Sequence, residues 1–262
     1  FPDLAAIETQ FHHLLRTVPR NGLVLAPAHD EALARVLARG CYSNLTTTGA
    51  TTGWHTQSID ATAFDVFNGS QPLGRVQWSL TGMHNQHNAL VALLAAEHVG
   101  VSPDQSIEAL NQFAGVKRRM EIRGTVKGVT VYDDFAHHPT AIQTTLEGLR
   151  AKVGNARIVA IIEPRSNTMK LGTMAARLPD ALAAADLVFC FGQAEGKQAL
   201  GWDPSKVLAS LGTRLQAHHQ LDALVLALAS QARPGDHIVA MSNGGFGGIH
   251  TKLLEALATT QA

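Results

Sequence analysis

The sequence predicts an α/β protein in which a mostly parallel sheet follows a smaller antiparallel segment. After Gly115, short apolar runs typical of buried strands alternate with segments of helical spacing, which predicts βαβ units. Before it, residues 63–67 and 75–80 alternate apolar and polar side chains around Asn68-Gly69, a pattern typical of a β-hairpin. With 262 residues the chain can form one large or two medium domains, and we place a boundary near residues 113–118.

Composition and charge argue against two classes of partner. Lys plus Arg and Asp plus Glu both number 21, so no net charge favours nucleic acid or an anionic membrane surface. No apolar run approaches the ~20 residues that span a bilayer. We therefore expect a cytoplasmic protein with no nucleic-acid or membrane partner. Cys41 and Cys190 lie in apolar surroundings and are predicted to be buried thiols.

The elements of the first half follow from short local signals. The apolar segment at 22–27 predicts a strand. Helical spacing predicts three helices, over about 30–39, 86–99 and 103–113. The last of these has Ser102 as its N-cap and Pro103 in the first helical position, where a missing N–H costs nothing.

The second half alternates strands with helices. Apolar and β-branched runs predict strands at Val129–Tyr132, Ile158–Ile162, Leu187–Phe191 and His237–Met241. Helices are predicted over about 139–151, 173–184, 204–211, 220–231 and 248–259. Ligands of open α/β sheets bind beyond the carboxyl ends of the strands, so the polar loops after these strands are candidate sites.

The most informative segment ends the first of these strands. Asp133 and Asp134 are followed by His137 and His138, which lead into a helix beginning at Pro139. Carboxylate and imidazole groups both bind divalent metal ions. An aspartate in this place also accepts hydrogen bonds from ribose hydroxyls in dinucleotide folds. The remaining alternative is a helix cap with exposed histidines, but the density of polar groups favours a ligand site.

Two asparagines lie earlier in the chain, at the start of a predicted helix. Asn85 and Asn88 are three residues apart and therefore share one face of the first turn. An amide offers a donor and an acceptor together, which suits the edge of an adenine ring. Alternatively, one of them caps the helix.

A basic run precedes the second half. Lys117, Arg118 and Arg119 lie just before a strand. Arginine forks match phosphate oxygens well, so the run either binds phosphate or forms an ordinary solvated surface.

Another polar loop follows the strand at 158–162. Arg165 and Lys170 could hold a carboxylated ligand, with Ser166 and Asn167 adding neutral hydrogen bonds. The alternative is an ordinary connecting loop.

The segment 243–248 is rich in glycine and follows the last strand. It is either a tight packing turn or an anion-binding nest, and it is not a P-loop because it lacks Gly-Lys-Ser/Thr. The chain has no Cys-x-x-Cys pair, no His-Glu-x-x-His and no Ser-His-Asp order, which excludes the commonest zinc and hydrolase sites.

Taken in chain order, these motifs resemble the ATP-dependent Mur ligase family of peptidoglycan synthesis. The likeness rests on Gly82-x-His84-Asn85-x-x-Asn88-Ala89, Arg119-Met-Glu121 and residues 133–140, and extends over essentially the whole chain. Residues 118–121, 133–141, 163–170 and 241–248 resemble in detail the branch that recycles murein peptides. That branch joins the tripeptide L-Ala-γ-D-Glu-meso-diaminopimelate to UDP-N-acetylmuramate through an acyl phosphate, using ATP and Mg²⁺.

The resemblance implies a fold and a set of roles. Residues 1–115 would be the second half of the central ATP-binding (ATPase) domain, and residues 116–262 the Rossmann-like C-terminal domain. The implied nucleotide-binding residues are His84, Asn85, Asn88, Arg119, Asp134 and His137. Among them the asparagines would contact adenine, Asp134 the ribose hydroxyls, and His137, the implied catalytic residue, the phosphates. The implied substrate-binding residues are Arg165, Ser166, Asn167 and Lys170.

The sequence departs from the family in one large respect. The family's P-loop (Gly-x-His-Gly-Lys-Thr-Thr), its magnesium-binding glutamate and histidine and its UDP-binding N-terminal domain have no counterpart here. The chain also begins at Phe1 without an initiator methionine. We therefore expect a part of a longer protein, with no ligase turnover and no metal ligand of its own.

Two alternatives remain at this point. The biosynthetic UDP-N-acetylmuramate–L-alanine ligase shares the Asp-Asp-x-x-His-His-Pro-Thr segment, although the loop at 163–168 favours the tripeptide enzyme. A non-catalytic module that binds nucleotide or peptide without turnover is the other alternative.

Overall fold

The computed structural model describes residues 1, 3–196 and 199–260. The chain divides into two compact units, Phe1–Ala114 and Gly115–Ala262. No helix in the described ranges is long and apolar enough to cross a membrane.

The first unit contains a mixed sheet in the order β1-β2-β3-β4-β5. Its strands are β1 Leu23–Pro27, β2 Asn44–Thr48, β3 Trp54–Ser58, β4 Ala63–Asn68 and β5 Gln71–Gln77. Its helices are α1 Leu4–Leu15, α2 Glu31–Ala38, α3 Met83–His98 and α4 Pro103–Asn111. β1, β2 and β3 pair in parallel, and β3, β4 and β5 pair antiparallel. Buried side chains of the sheet, among them Phe64 and Val66, pack against Leu90 and Leu93 of α3.

The predicted hairpin is confirmed, with its turn one residue later than expected. Asn68 still pairs with Gln71, so Gly69 and Ser70 form the turn, and Gly69 has a φ of 56°. β2 and β3 were not predicted from the sequence because their residues are mostly polar and lack the apolar alternation of a half-buried strand.

Ser102 caps α4 as predicted, accepting a hydrogen bond from the Gln105 backbone N–H at 3.4 Å. Ser102→Ala is expected to lower the free energy of unfolding by about 1 kcal/mol, because the first turn loses this acceptor. Urea denaturation followed by circular dichroism measures the change. Ser70→Ala, at an exposed turn serine, is the matched control, and equal unfolding midpoints for the two variants would contradict the role of the cap.

The second unit contains a sheet in the order β10-β9-β8-β11-β7-β6, parallel throughout except for the β6–β7 pair. Its strands are β6 Glu121–Val126, β7 Val129–Asp134, β8 Ile158–Ile162, β9 Leu187–Phe191, β10 Leu215–His218 and β11 His237–Met241. Its helices are α5 Pro139–Val153, α6 Asn167–Lys170, α7 Leu178–Ala181, α8 Pro204–Val207, α9 Leu221–Ala229 and α10 Ile249–Thr259. The four predicted strands and the mostly parallel sheet are therefore confirmed.

Two predicted helices are shorter than expected. The region 173–184 holds a 3₁₀ turn and then α7, because Pro179 lacks a backbone N–H and fits only the first turn of a helix. The region 204–211 holds α8 and the start of a second 3₁₀ segment, which is interrupted by Gly212 at φ 58°.

Helices cover both faces of the second sheet. All five residues of β8 are buried, since successive side chains pack into the two core layers on opposite faces. Cys190 on β9 is buried as predicted, and burial raises the pKa of its thiol to about 12. Cys41 is only half-buried, so the prediction of a buried thiol is wrong there.

The register of the sheet brings the polar loops of the second unit to one edge. Met241 of β11 lies beside both Asp134 of β7 and Ile162 of β8, and Ile162 lies beside Cys190 of β9. Because these strands are parallel, the segments that follow them leave the sheet together.

Candidate functional site

Arg118 connects two of the segments at this edge. Its Nη2 donates to the carbonyl oxygens of Ser242 and Gly244 at 2.6 and 2.7 Å, and its Nε lies 3.4 Å from Asp133 Oδ1. Arg118 itself has a φ of 59°, a left-handed conformation that costs energy for a side chain of this size. The phosphate alternative for this residue receives no support, because its guanidinium is directed to backbone oxygens.

Asp133 is buried, with 4% exposure, between two basic side chains. Besides Arg118, the Nε2 of His250 lies 3.4 Å from its Oδ1. Burial lowers the pKa of His250, and the Asp133 carboxylate opposes that shift. Asp133 therefore lies between Arg118 and the first turn of α10 at the end of β7.

Asp134 is 2% exposed, and both of its oxygens accept hydrogen bonds from the protein. Oδ1 accepts from the Ala136 N–H at 2.8 Å and the Thr145 hydroxyl at 3.2 Å, and Oδ2 accepts from the Met120 N–H at 2.9 Å. Burial raises the pKa of Asp134, against the opposing effects of these donors and of Arg119. The carboxylate thus holds the 118–120 segment against the loop after β7. A contact between Asp134 and the ribose of a nucleotide stays a prediction.

His137 and the exposed Arg119 both contact the Phe135 ring. The Arg119 guanidinium lies over the Phe135 ring at 5.7 Å, and the His137 ring meets it edge-on at 5.2 Å. His137 Nδ1 lies 2.8 Å from the Phe135 carbonyl oxygen, which can only accept, so Nδ1 carries the hydrogen and Nε2 is the other nitrogen available to a ligand. Burial and the neighbouring His137 lower the pKa of His138, whose ring lies 4.2 Å away.

The loop after β8 carries the predicted peptide-binding residues. Ser166 caps α6 by accepting from the Met169 N–H at 3.4 Å, and Asn167 is exposed. The backbone of α6 is held from the side, since Trp202 Nε1 donates to the Met169 carbonyl at 2.7 Å and the Gly201 N–H donates to the Lys170 carbonyl at 2.8 Å.

A small cleft opens beside this loop at the carboxyl ends of β8 and β9. Its lining residues are Glu163, Pro164, Arg165, Phe191, Gly192, Gln193 and Leu200. Glu163 accepts a hydrogen bond of 2.5 Å from the Ser242 hydroxyl, which places the glycine-rich segment after β11 against the same cleft.

In the first unit, the start of α3 presents the predicted adenine-binding residues. Its N-cap is Gly82 at φ 90°, so the alternative that an asparagine caps this helix is wrong. Asn85 Nδ2 donates to the Thr81 carbonyl at 2.7 Å, while His84 and Asn88 are exposed. The Asn88 amide therefore faces solvent from the second turn of the helix.

A metal site receives no support from this geometry. Across residues 1, 3–196 and 199–260, no group of three or more His, Cys, Asp and Glu side chains could hold a metal ion. Asp133 and Asp134 are instead committed to protein donors.

Comparison with known proteins decides the family. Residues 118–244 match the family described as Mur ligase, glutamate ligase domain. The chain is 46% identical over 98% of its length to the UDP-N-acetylmuramate–L-alanyl-γ-D-glutamyl-meso-2,6-diaminoheptandioate ligase of Escherichia coli (strain K12), of which it covers 56%. The chain belongs to the Mur ligase family. The resemblance read from the motifs is thereby confirmed.

Other Mur ligases agree in fold. The crystal structure of a murein peptide ligase from Psychrobacter arcticus matches the whole chain with a TM-score of 0.74 and 39% identity, and the match covers 56% of that structure. A UDP-N-acetylmuramate–L-alanine ligase of Mycobacterium (strain JLS) is 35% identical over 85% of this chain and 47% of its own length. The chain therefore spans about half the length of these Mur ligases.

Several residues at the site were missed by sequence reasoning. Ser242, Gly244 and His250 were not singled out, although the first two lie in or beside the glycine-rich segment. Their contacts are with Glu163, Arg118 and Asp133 on other strands, and no local pattern reports such pairs.

Proposed function

We propose that this Mur ligase chain is part of an ATP-dependent ligase of murein recycling, which joins L-Ala-γ-D-Glu-meso-diaminopimelate to UDP-N-acetylmuramate with release of ADP and phosphate. One observation carries the proposal. The identity is 46% over 98% of the chain with a ligase named for this tripeptide, against 35% over 85% with a ligase named for L-alanine. Because the chain covers about half of each, the rest of the protein supplies the remaining parts of the activity.

The proposal assigns residues 1–115 to the second half of the central ATP-binding domain and residues 116–262 to the Rossmann-like C-terminal domain. The proposed nucleotide-binding residues are His84, Asn85, Asn88, Arg119, Asp134 and His137. The exposed amide of Asn88 suits an adenine edge, and the exposed guanidinium of Arg119 suits ribose or phosphate oxygens. His137 would act as the catalytic residue by directing Nε2 to a phosphate.

ATP, when bound, supplies the phosphoryl group that activates the muramyl carboxylate. The role of this chain is positioning and electrostatic stabilisation, as in other phosphoryl-transfer sites. We also propose a requirement for Mg²⁺, although the described residues form no cluster of side chains that could hold it. We also propose a cytoplasmic location for this ligase.

Phosphate release by the complete protein tests this function. Mg-ATP and UDP-N-acetylmuramate are supplied with either the tripeptide or L-alanine as acceptor. Turnover with the tripeptide and little with L-alanine is the expected result. Preference for L-alanine would move the protein to the biosynthetic step, and turnover with neither would leave a nucleotide- or peptide-binding module.

Asn88→Ala is expected to raise the KM for ATP about fivefold in the complete protein, because one neutral hydrogen bond of about 1 kcal/mol to adenine is lost. The folded chain should keep its melting temperature, since Asn88 is exposed. Steady-state kinetics at saturating tripeptide measure the change. Asn155→Ala, at another exposed asparagine, is the control, and an unchanged KM for ATP in Asn88→Ala would reject the adenine assignment.

A further inference from the structure

The side chain of Arg165 lies where a side chain on Gly244 would have to be. A Cβ atom built on Gly244 would lie 2.2 Å from Arg165 Nη1, 2.8 Å from its Cζ and 2.9 Å from its Cδ. Non-bonded carbon atoms pack at about 3.5–4.0 Å, so no residue larger than glycine fits while Arg165 stays in place. Gly244 does not have a positive φ, so alanine is compatible with its backbone.

The backbone of Gly244 is held from both sides. Its N–H donates to Ser242 Oγ at 3.0 Å, and its carbonyl oxygen accepts from Arg118 Nη2 at 2.7 Å. The Ser242 hydroxyl in turn donates to Glu163, two residues before Arg165. Ser242 is 2% exposed, and its neighbours in this network, Glu163 and Arg118, are half-buried. When the space is filled, the flexible arginine must therefore move rather than the glycine backbone.

We propose that Gly244 is a positioning residue for Arg165, and through it a determinant of specificity for peptides that carry a free carboxylate. A guanidinium binds a carboxylate through two parallel hydrogen bonds only when its plane has the correct orientation. Gly244 provides the surface on which that plane rests, and Ser242 and Glu163 keep this surface fixed relative to the loop. The inference rests on the proposed function and on the family resemblance, which implies that Arg165 binds the incoming peptide.

The test compares Gly244→Ala with Gly245→Ala in the complete protein. Gly245 has φ −74° and open space around a built Cβ, so its alanine variant leaves Arg165 undisturbed. Gly244→Ala is expected to raise the KM for the tripeptide about tenfold, since small displacements of a positioning group have effects of this size. The KM for ATP and the melting temperature should stay close to those of the unsubstituted protein.

A double-mutant cycle with Arg165→Ala separates positioning from a general structural effect. If Gly244 acts through Arg165, adding Gly244→Ala to Arg165→Ala changes the tripeptide KM no further. Additive effects, or an unchanged tripeptide KM in Gly244→Ala, would overturn the inference. Absence of tripeptide turnover in the unsubstituted protein would instead overturn the proposed function, so the two failures are distinguishable.

Discussion

Asp134→Ala is expected to lower the free energy of unfolding of this chain by about 2–3 kcal/mol. The substitution removes the acceptor of three hydrogen bonds, and a buried donor without a partner costs about 1–3 kcal/mol. Loss of the unfavourable burial of the carboxylate offsets part of this cost. Two of the donors are backbone N–H groups, of Met120 and Ala136, which have no freedom to turn toward other acceptors.

Chemical denaturation of the isolated chain measures this effect. Asp65→Ala is the matched control, because Asp65 is paired with Arg75 at a partly exposed site and should contribute much less. Equal losses in the two variants would show that Asp134 does not hold the 118–120 segment. In the complete protein, Asp134→Ala should also weaken ATP binding, whether through direct contact with ribose or through release of Arg119.

The free energy of unfolding should also depend on pH, because the pKa of Asp134 differs between the folded and the unfolded chain. Burial raises the pKa of Asp134 above its value of about 3.9 in the unfolded chain. Its carboxyl group therefore contributes most below about pH 4, and this contribution is lost as the pH rises through the higher folded value. The stability of the protein relative to Asp134→Asn should accordingly fall as the pH rises above about 4. A difference that grows over this range would contradict the raised pKa.

Local patterns predicted the strands of the second sheet that are buried on both faces and missed its two edge strands. β8 and β11 are short apolar runs, which the sequence shows directly. β6 and β10 are the two edge strands of the same sheet, and their residues are largely half-buried or exposed. Their own composition does not distinguish them from polar loops. They become strands because they pair with a neighbouring strand of the sheet.

The candidate site was predictable in its location but not in its internal contacts. The polar residues after β7 and β8 pointed to the carboxyl edge of the sheet, where the structure places them. The roles within the basic run were not predictable, since Arg118 donates to backbone carbonyls and Arg119 is the exposed member. The contact between Arg165 and Gly244 depends on β8 and β11 being neighbours, which the sequence does not show.

Arg165→Ala is expected to raise the KM of the complete protein for the tripeptide about 30- to 100-fold. Charge-assisted hydrogen bonds contribute about 2–3 kcal/mol, and each 1.4 kcal/mol corresponds to a factor of ten. The KM for ATP should be unchanged, because the described contacts of Arg165 are with the cleft at β8 and β9 and with Gly244. Kinetics with each substrate varied in turn measure the two constants separately.

Arg165→Lys separates the effect of the positive charge from the effect of the planar guanidinium group. Lysine keeps the positive charge but loses the planar fork, so a carboxylate held by two parallel hydrogen bonds should be bound nearly as poorly as in Arg165→Ala. If charge alone attracts the peptide, Arg165→Lys should instead retain most of the affinity. Arg177→Ala, at an exposed arginine beside Thr140, controls for the general loss of a positive charge. A change in the KM for ATP alone would place Arg165 in the nucleotide site, and the glycine at 244 would then shape that site rather than the one for the peptide.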